Sequence, residues 1–244
     1  IARMPIFRDA SVSHNEKLNV LKQEIAYNKT LVEAAIVDTQ GNMYHTENSQ
    51  IISVKDRVWF QTPLKGGRFL TEPFHSRATN KMILTFAVPV YDDNKNITDV
   101  LAMGILASWL TDAIDDIVVG ETGYCYILGL TGNTVAHKNT ELVTKAANAI
   151  EMAKTDASLQ ELANFQARSL EIDESELGYY SYKGRKNISS YATIKTTDWS
   201  VIIAAPVNEF MGTVNALRLS MLGIGAIILL TALVIVYFVA GMMV

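Results

Sequence analysis

Apolar positions recur at helical spacing early in the chain, at Leu18, Leu21 and Ile25, and Ser13 with Glu16 has the spacing of a capping box. The pattern predicts one helix over 13–29. The period then changes. In "EAAIVDTQGNMYHTE" an apolar run reaches Asp38, Gly41 and Asn42 make a turn, and a second short run comes after it, which together predict a hairpin. The same arrangement returns in "YCYILGLTGNTVAH", residues 124–137, and each copy closes on a histidine, His45 or His137. The two turn glycines lie 91 positions apart (41 to 132).

The segments after the two hairpins match as well. In the first half a helical segment is expected from near Ser53, with Asp56 as its cap partner. It ends by Pro63, because proline disfavours helix at the residue before it. Strands are then expected in "RFLTEPFHS", "KMILTFAVPVY" and "DVLAMGILASWL". In the second half Leu142, Ala146, Ala149, Ile150 and Ala153 mark one helix, and Ser158 with Glu161 caps another to about Arg168. Strands come next in "GYYSYKG", "NISSYATIK" and "WSVIIAAPV", with the acidic "EIDESE" as a solvated loop. Two units of hairpin, helix and three antiparallel strands give an α+β fold. The expected division is a helical segment (1–33), a first module (34–107), a linker helix (108–122), a second module (123–210) and a C-terminal helix (211–244).

Past Arg218 the alternation stops. "LSMLGIGAIILLTALVIVYFVAGMMV" carries no charge to the last residue. That exceeds the roughly 20 apolar residues a helix needs to cross a bilayer core, so a transmembrane helix is expected at 220–240. The start, "IARMPIF", has no signal-peptide regions and no initial Met, so the chain is expected to be cut at both ends. A net charge of −4 without a Lys/Arg cluster argues against a nucleic-acid partner. The single cysteine, Cys125, rules out an intrachain disulfide and a cysteine-based zinc site, and is expected in the core. His14, His45, His75 and His137 show no paired metal spacing, and no Gly-x-Ser-x-Gly, P-loop or dinucleotide motif occurs. No catalytic residue, metal or cofactor is expected, and the chain is not read as an enzyme.

The order of elements, with "DRVWFQ", "LTEPF", "LTFAVPVYDD", "VGETGYCYIL", "GNTVAHKN" and "TTDWSVIIAAPV", resembles the double Cache (dCache) domain. That is the extracellular sensor module of bacterial chemoreceptors, sensor kinases and cyclases. The resemblance covers nearly the whole chain, and "GETGY" and "AH" are its most specific pieces. It implies tandem PAS-like modules stacked away from the membrane, a long N-terminal helix, flanking transmembrane helices and a homodimer in the cell membrane, with residues 1–210 outside the cytoplasm. The implied function is small-molecule sensing for a methyl-accepting chemotaxis receptor. The alternatives are the same sensor on a histidine kinase or diguanylate cyclase, or a ligand-free, membrane-anchored structural domain.

In the amino-acid-binding branch of that family, the segment matching "DRVWFQ" supplies an arginine and aromatics that grip the ligand carboxylate. Arg57, Trp59 and Phe60 hold those positions here, and a guanidinium fork suits a carboxylate. On a regular helix residues 57 and 59 point almost oppositely, so both reach a ligand only if the segment starts irregularly. Otherwise Arg57 caps its own module beside core aromatics. The branch's tyrosine is Phe74 in this sequence, and its two ammonium-binding aspartates are replaced by Ser76 and Gly104. The expected site is Arg57, Trp59, Phe60, Phe74, Ser76 and Gly104. The expected ligand is a small organic carboxylate or a flat polar heterocycle rather than an α-amino acid, whose ammonium would lack a charged partner. Glu47, Asp56, Glu72 and Asp99 are the carboxylates that would change this. His75, beside the site, is a ligand contact or a surface strand residue. The corresponding region of the second module, "ELVTKAANAIEMAK", has no aromatics, so that module is expected to transmit rather than bind.

Overall fold

The hairpin repeat and the capping box both form as their spacing implies. The computed structural model describes residues 1–171 and 175–242, without the side chains of 212–216 and 232–242; the middle of the acidic stretch, 172–174, lies outside it. A short helix α1 (Pro5–Arg8) precedes α2 (His14–Tyr27). Ser13 Oγ accepts from the Glu16 N–H, and the Glu16 carboxylate accepts from the Ser13 N–H, so two otherwise orphaned donors are satisfied.

The first module continues as β1 (Leu31–Asp38), β2 (Asn42–His45), β3 (Ile52–Ser53), α3 (Val58–Leu64), β4 (Phe69–Leu70), β5 (Phe74–His75), β6 (Met82–Tyr91) and β7 (Ile97–Leu106). Its sheet runs β3-β2-β1-β7-β6-β4, with β5 also paired to β6. The linker α4 (Ser108–Asp115) leads to the second module. This comprises β8 (Tyr124–Leu128), β9 (Thr134–His137), α5 (Thr140–Thr144), α6 (Ala149–Met152), a 3-10 turn at Ala157–Leu159, α7 (Gln160–Glu171), β10 (Glu176–Tyr182), β11 (Arg185–Ile194) and β12 (Trp199–Pro206). Its sheet runs β10-β11-β12-β8-β9. In both sheets the first strand of the hairpin pairs with the module's last strand; the second hairpin forms a sheet edge, while the first is extended by the two-residue β3. Gly41 and Gly132 occupy the same left-handed conformation, φ 83° and 82°, which glycine adopts without a Cβ penalty.

Three elements differ from their expected form. Residues 52 and 53 pair with β2 instead of opening a helix, so α3 starts later and Arg57 becomes its N-cap. The segment "RFLTEPFHS" breaks into β4 and β5 around Pro73, which has no N–H to give a ladder. The helix expected over 142–153 splits into α5 and α6. There the Ala147 carbonyl accepts from the backbone N–H and side-chain hydroxyl of Thr134, and the chain leaves helical geometry to do so.

The first sheet is covered on both faces. Ala34, Ile36, Val90 and Leu101 pack with Phe7 of α1 and Leu21 of α2. Val37, Ala87 and Val100 face Val54 and Phe60 on the other side. A buried ion pair pins α2 to the sheet: Lys17 Nζ is 2.9 Å from Asp99 Oδ2, and the two residues are 2% and 4% exposed. His14 Nε2 lies 3.2 Å from Asp99 Oδ1, and its ring stacks on Tyr44. The modules meet through Leu84, Ala107 and Ile114 packed on Ile127, Val135 and Trp199. Cys125 is buried in the same cluster, as expected, and burial pushes its thiol up to about 11.

Helix α8 (Val207–Met242) continues directly from β12. Among the described residues no helix is long and apolar enough to cross a membrane. The span expected at 220–240 extends from 232 onward into side chains outside those described.

Candidate functional site

Strand alternation turns Glu33, Ala35 and Val37 of β1 toward α3. Their cross-strand partners on β7 are Gly104, Ala102 and Val100, and β6 adds Thr85 opposite Gly104 and Ala87 opposite Ala102. His45 of β2 pairs with Ala35. The middle of this face is therefore a row of small residues, Ala35, Ala102 and Ala87. Beside it runs the row Glu33, Gly104 and Thr85.

Glu33 is the chemical centre of that face. One carboxylate oxygen, Oε2, accepts from Ser76 Oγ at 2.5 Å and from Thr79 Oγ1 at 3.0 Å. The other, Oε1, faces His45 Nε2 at 3.5 Å. The Nδ1 of His45 accepts from the Glu47 N–H, which leaves the Nε2 proton for Glu33. Burial opposes ionisation of Glu33, but the hydrogen bonds from His45, Ser76 and Thr79 outweigh it and hold the carboxyl below its ordinary value of 4.5. A Cβ at position 104 would sit 2.5 Å from Glu33 Cγ, so only glycine leaves room for this side chain.

The six expected site residues fall into three places. Ser76, buried, and Gly104 both converge on Glu33. Trp59 and Phe60 come together against Val37 and Val100, with Phe60 buried in the core and Trp59 partly exposed. Arg57 and Phe74 are exposed, Arg57 with Asp56 4.0 Å away and Phe74 on β5. The segment does start irregularly, Arg57 being extended (φ −83°, ψ 127°) just before α3, yet Arg57 stays at the surface while Trp59 packs toward the core.

Glu33 is the residue that the sequence pattern does not single out. Its signal is parity: it stands two and four residues before the inward-facing Ala35 and Val37, a charge on the buried face of an apolar strand. Its presence bears on the reasoning by which α-amino acids were disfavoured. A carboxylate does stand beside positions 76 and 104, supplied from the neighbouring strand. Of the four carboxylates considered from sequence, Asp99 is committed to Lys17, Glu72 to the second module, and Glu47 and Asp56 lie at the surface.

The fold agrees with the comparisons. The model of the Cache domain family matches residues 2–214. The chain belongs to the Cache domain family. It is 26% identical over 156 residues to the methyl-accepting chemotaxis protein TlpA of Bacillus subtilis (strain 168), covering 63% of this chain and 20% of that protein. The chain thus spans about a fifth of the length of that curated relative. Among solved structures it superimposes on the extracellular domain of the putative histidine kinase mmHK1S-Z2 with a TM-score of 0.59 at 15% identity, covering 82% of this chain and 84% of that one. It also superimposes on the ligand-binding domain of the Pseudomonas aeruginosa PAO1 amino acid chemoreceptor PctB in complex with L-Arg, with a TM-score of 0.59 at 17% identity, covering 82% and 81%. Both likenesses concern the fold.

Two carboxylates tie this Cache domain together along its length. Glu72, between β4 and β5, accepts from the Thr131 N–H at 2.9 Å, Thr131 Oγ1 at 2.6 Å and Asn133 Nδ2 at 3.2 Å, all in the β8–β9 turn. Glu209, in the first turn of α8, accepts from the backbone N–H groups of Glu121 and Thr122 and from the Thr122 hydroxyl. "GETGY" therefore holds the start of the C-terminal helix.

The depressed Glu33 carboxyl has a pH signature. Its contribution to stability is fully present above 4.5 and is lost as pH falls through its lower folded value. Wild-type melting temperature is expected to drop more steeply below about pH 4.5 than that of Glu33→Gln, measured by calorimetry. Parallel acid limbs would contradict the arrangement.

Proposed function

We propose that this chain is the ligand-sensing part of a bacterial transmembrane chemoreceptor. Residues 1–210 lie outside the cytoplasm, a helix within 211–244 spans the membrane, and the receptor works as a homodimer. The observation that carries the ligand reading is the buried Glu33 carboxylate on the α3-facing side of the first sheet. Its Oε1 keeps acceptor capacity beyond the long His45 contact, so it suits the ammonium of a small amine-bearing ligand, α-amino acids included. Arg57, Trp59 and Phe74 border the same module and would take the ligand's carboxylate and hydrocarbon parts. Ser76 orients Glu33, and Gly104 makes room for it.

Transmission runs through the clamps. A ligand shifts an equilibrium only by preferring one arrangement. The segment between β4 and β5 carries Glu72 and leads through β5 to Ser76, so a shift there moves the β8–β9 turn. Glu209 couples the second module to α8. Leu217, Leu219, Met221, Leu222 and Ile224 stand exposed along α8, an apolar surface of the kind that lipid covers.

A second reading rests on the acceptor count. Glu33 already takes donors from Ser76, Thr79 and His45, and a carboxylate so satisfied would leave Arg57 to bind a simple organic acid. The output domain could equally be a histidine kinase, since such an extracellular domain shares the fold.

Cysteines placed at the exposed Asn94 and Lys183, in a Cys125→Ser background, are expected to label in intact cells. Labelling only after lysis would sink the topology and with it the sensor assignment. A melting-shift panel on the same chain is expected to find stabilisation by at least one amino acid. Stabilisation by organic acids alone favours the second reading, and a blank panel favours a ligand-free structural domain.

A further inference from the structure

The second module repeats the site's architecture with different chemistry. Position for position, 91 residues on, Glu33, Ala35 and Val37 correspond to Tyr124, Tyr126 and Leu128. His137 pairs with Tyr126 as His45 pairs with Ala35. The Nδ1 of His137 accepts from the Asn139 N–H at 2.8 Å, as that of His45 accepts from Glu47, so the proton again sits on Nε2. Burial and then the Lys138 charge lower its pKa to about 4, so the ring is neutral at physiological pH.

Between this face and the helices above it lies a cavity of ≈ 70 Å³, lined by Tyr124, Tyr126, His137, Gln166, Tyr180 and Tyr182 among others. One water needs about 10–15 Å³ of such space, so the cavity holds a molecule of several heavy atoms. The alanines of "KAANAIEMAK" leave it open: Ala147 and Ala149 line it where larger side chains would fill it. Gln166 on α7 is 5% exposed. Its Nε2 donates to Tyr126 Oη at 3.3 Å, while its Oε1 is buried without a hydrogen-bond partner among the described residues. A buried, unpaired amide oxygen beside a cavity calls for a donor that the protein does not supply.

We propose that this second-module cavity is a separate binding site for a small uncharged molecule that donates a hydrogen bond to Gln166 Oε1 and accepts one from His137 Nε2, a primary amide being the simplest fit. No lining side chain is charged at neutral pH, so carboxylates and ammonium ions are excluded by desolvation. The tyrosine rings supply the apolar walls. This site does not depend on ligand binding at Glu33.

The test titrates the 244-residue chain with propionamide, butan-2-one and propionate, which are matched in size but differ in donor and charge. Chemical shifts at Tyr126 and Tyr180 are the readout. Propionamide is expected to give saturable shifts, with butan-2-one at least tenfold weaker and propionate without effect. Gln166→Leu is expected to bring propionamide down to the level of butan-2-one while leaving butan-2-one unchanged, which also reports that the variant is folded. Should Gln166→Leu fail to fold, the wild-type comparison of the three probes decides alone. Glu33→Gln is expected to leave the propionamide shifts intact. Non-saturable shifts, equal affinity for propionamide and butan-2-one, or propionamide binding indifferent to Gln166→Leu would each overturn the proposal.

Discussion

Lys17→Met is expected to destabilise the first module by about 3–5 kcal/mol, the usual cost of stripping the partner from a buried charge. Asp99 would keep its carboxylate at 4% exposure with only His14 Nε2, 3.2 Å away, beside it. The consequence reaches beyond stability, because the pair fixes α2 on the sheet face opposite Glu33. The double variant Lys17→Met/Asp99→Asn is expected to recover most of the loss, since a removed pair leaves no orphaned charge. Chemical denaturation of the three proteins measures this. A single-variant cost under about 1 kcal/mol would place the pair among weak surface contacts.

The second large effect comes from moving the site's carboxylate across one strand pairing. Glu33 and Gly104 are direct cross-strand partners, and a Cβ at 104 would sit 2.5 Å from Glu33 Cγ. Gly104→Asp adds this overlap, costing about 1–3 kcal/mol, to the repulsion of two buried carboxylates. It is expected to lower stability and abolish amino-acid binding. Glu33→Ala removes the charge and lowers affinity at least tenfold. Glu33→Ala/Gly104→Asp restores a single carboxylate from the opposite strand, and is expected to regain both stability and binding relative to Gly104→Asp. A double variant no better than Gly104→Asp would show that the two positions are not interchangeable.

The repeat was legible because it is written in local signals. The Gly-Asn turns, the capping box at Ser13 and the long strand β6 depend on neighbours in sequence, and they form where expected. The misplaced boundaries depend on distant partners. Ile52 and Ser53 become strand because β2 is beside them, and the helix over 142–153 breaks because Thr134 claims the Ala147 carbonyl. The candidate site was only partly legible for the same reason. Ser76 and Gly104 were named from the family pattern, yet the charge they both meet is Glu33, on a strand far away in sequence. A pairing register is needed to see that the empty positions and the carboxylate are one arrangement. The cavity of the second module was invisible because alanine in sequence does not say whether the space beside it is filled.

Everything proposed for the first module turns on Glu33 recognising the ligand's positive group. Isothermal titration calorimetry of the wild-type chain and Glu33→Gln, using whichever amino acid gives the largest melting shift, tests it most directly. The charge-assisted bond is worth about 1.5–3 kcal/mol, roughly ten- to a hundredfold in affinity. Saturable binding to the wild type with a loss of that size in Glu33→Gln is the result expected. Equal affinity in the two proteins, or binding of simple organic acids with no amino acid bound at all, would contradict it.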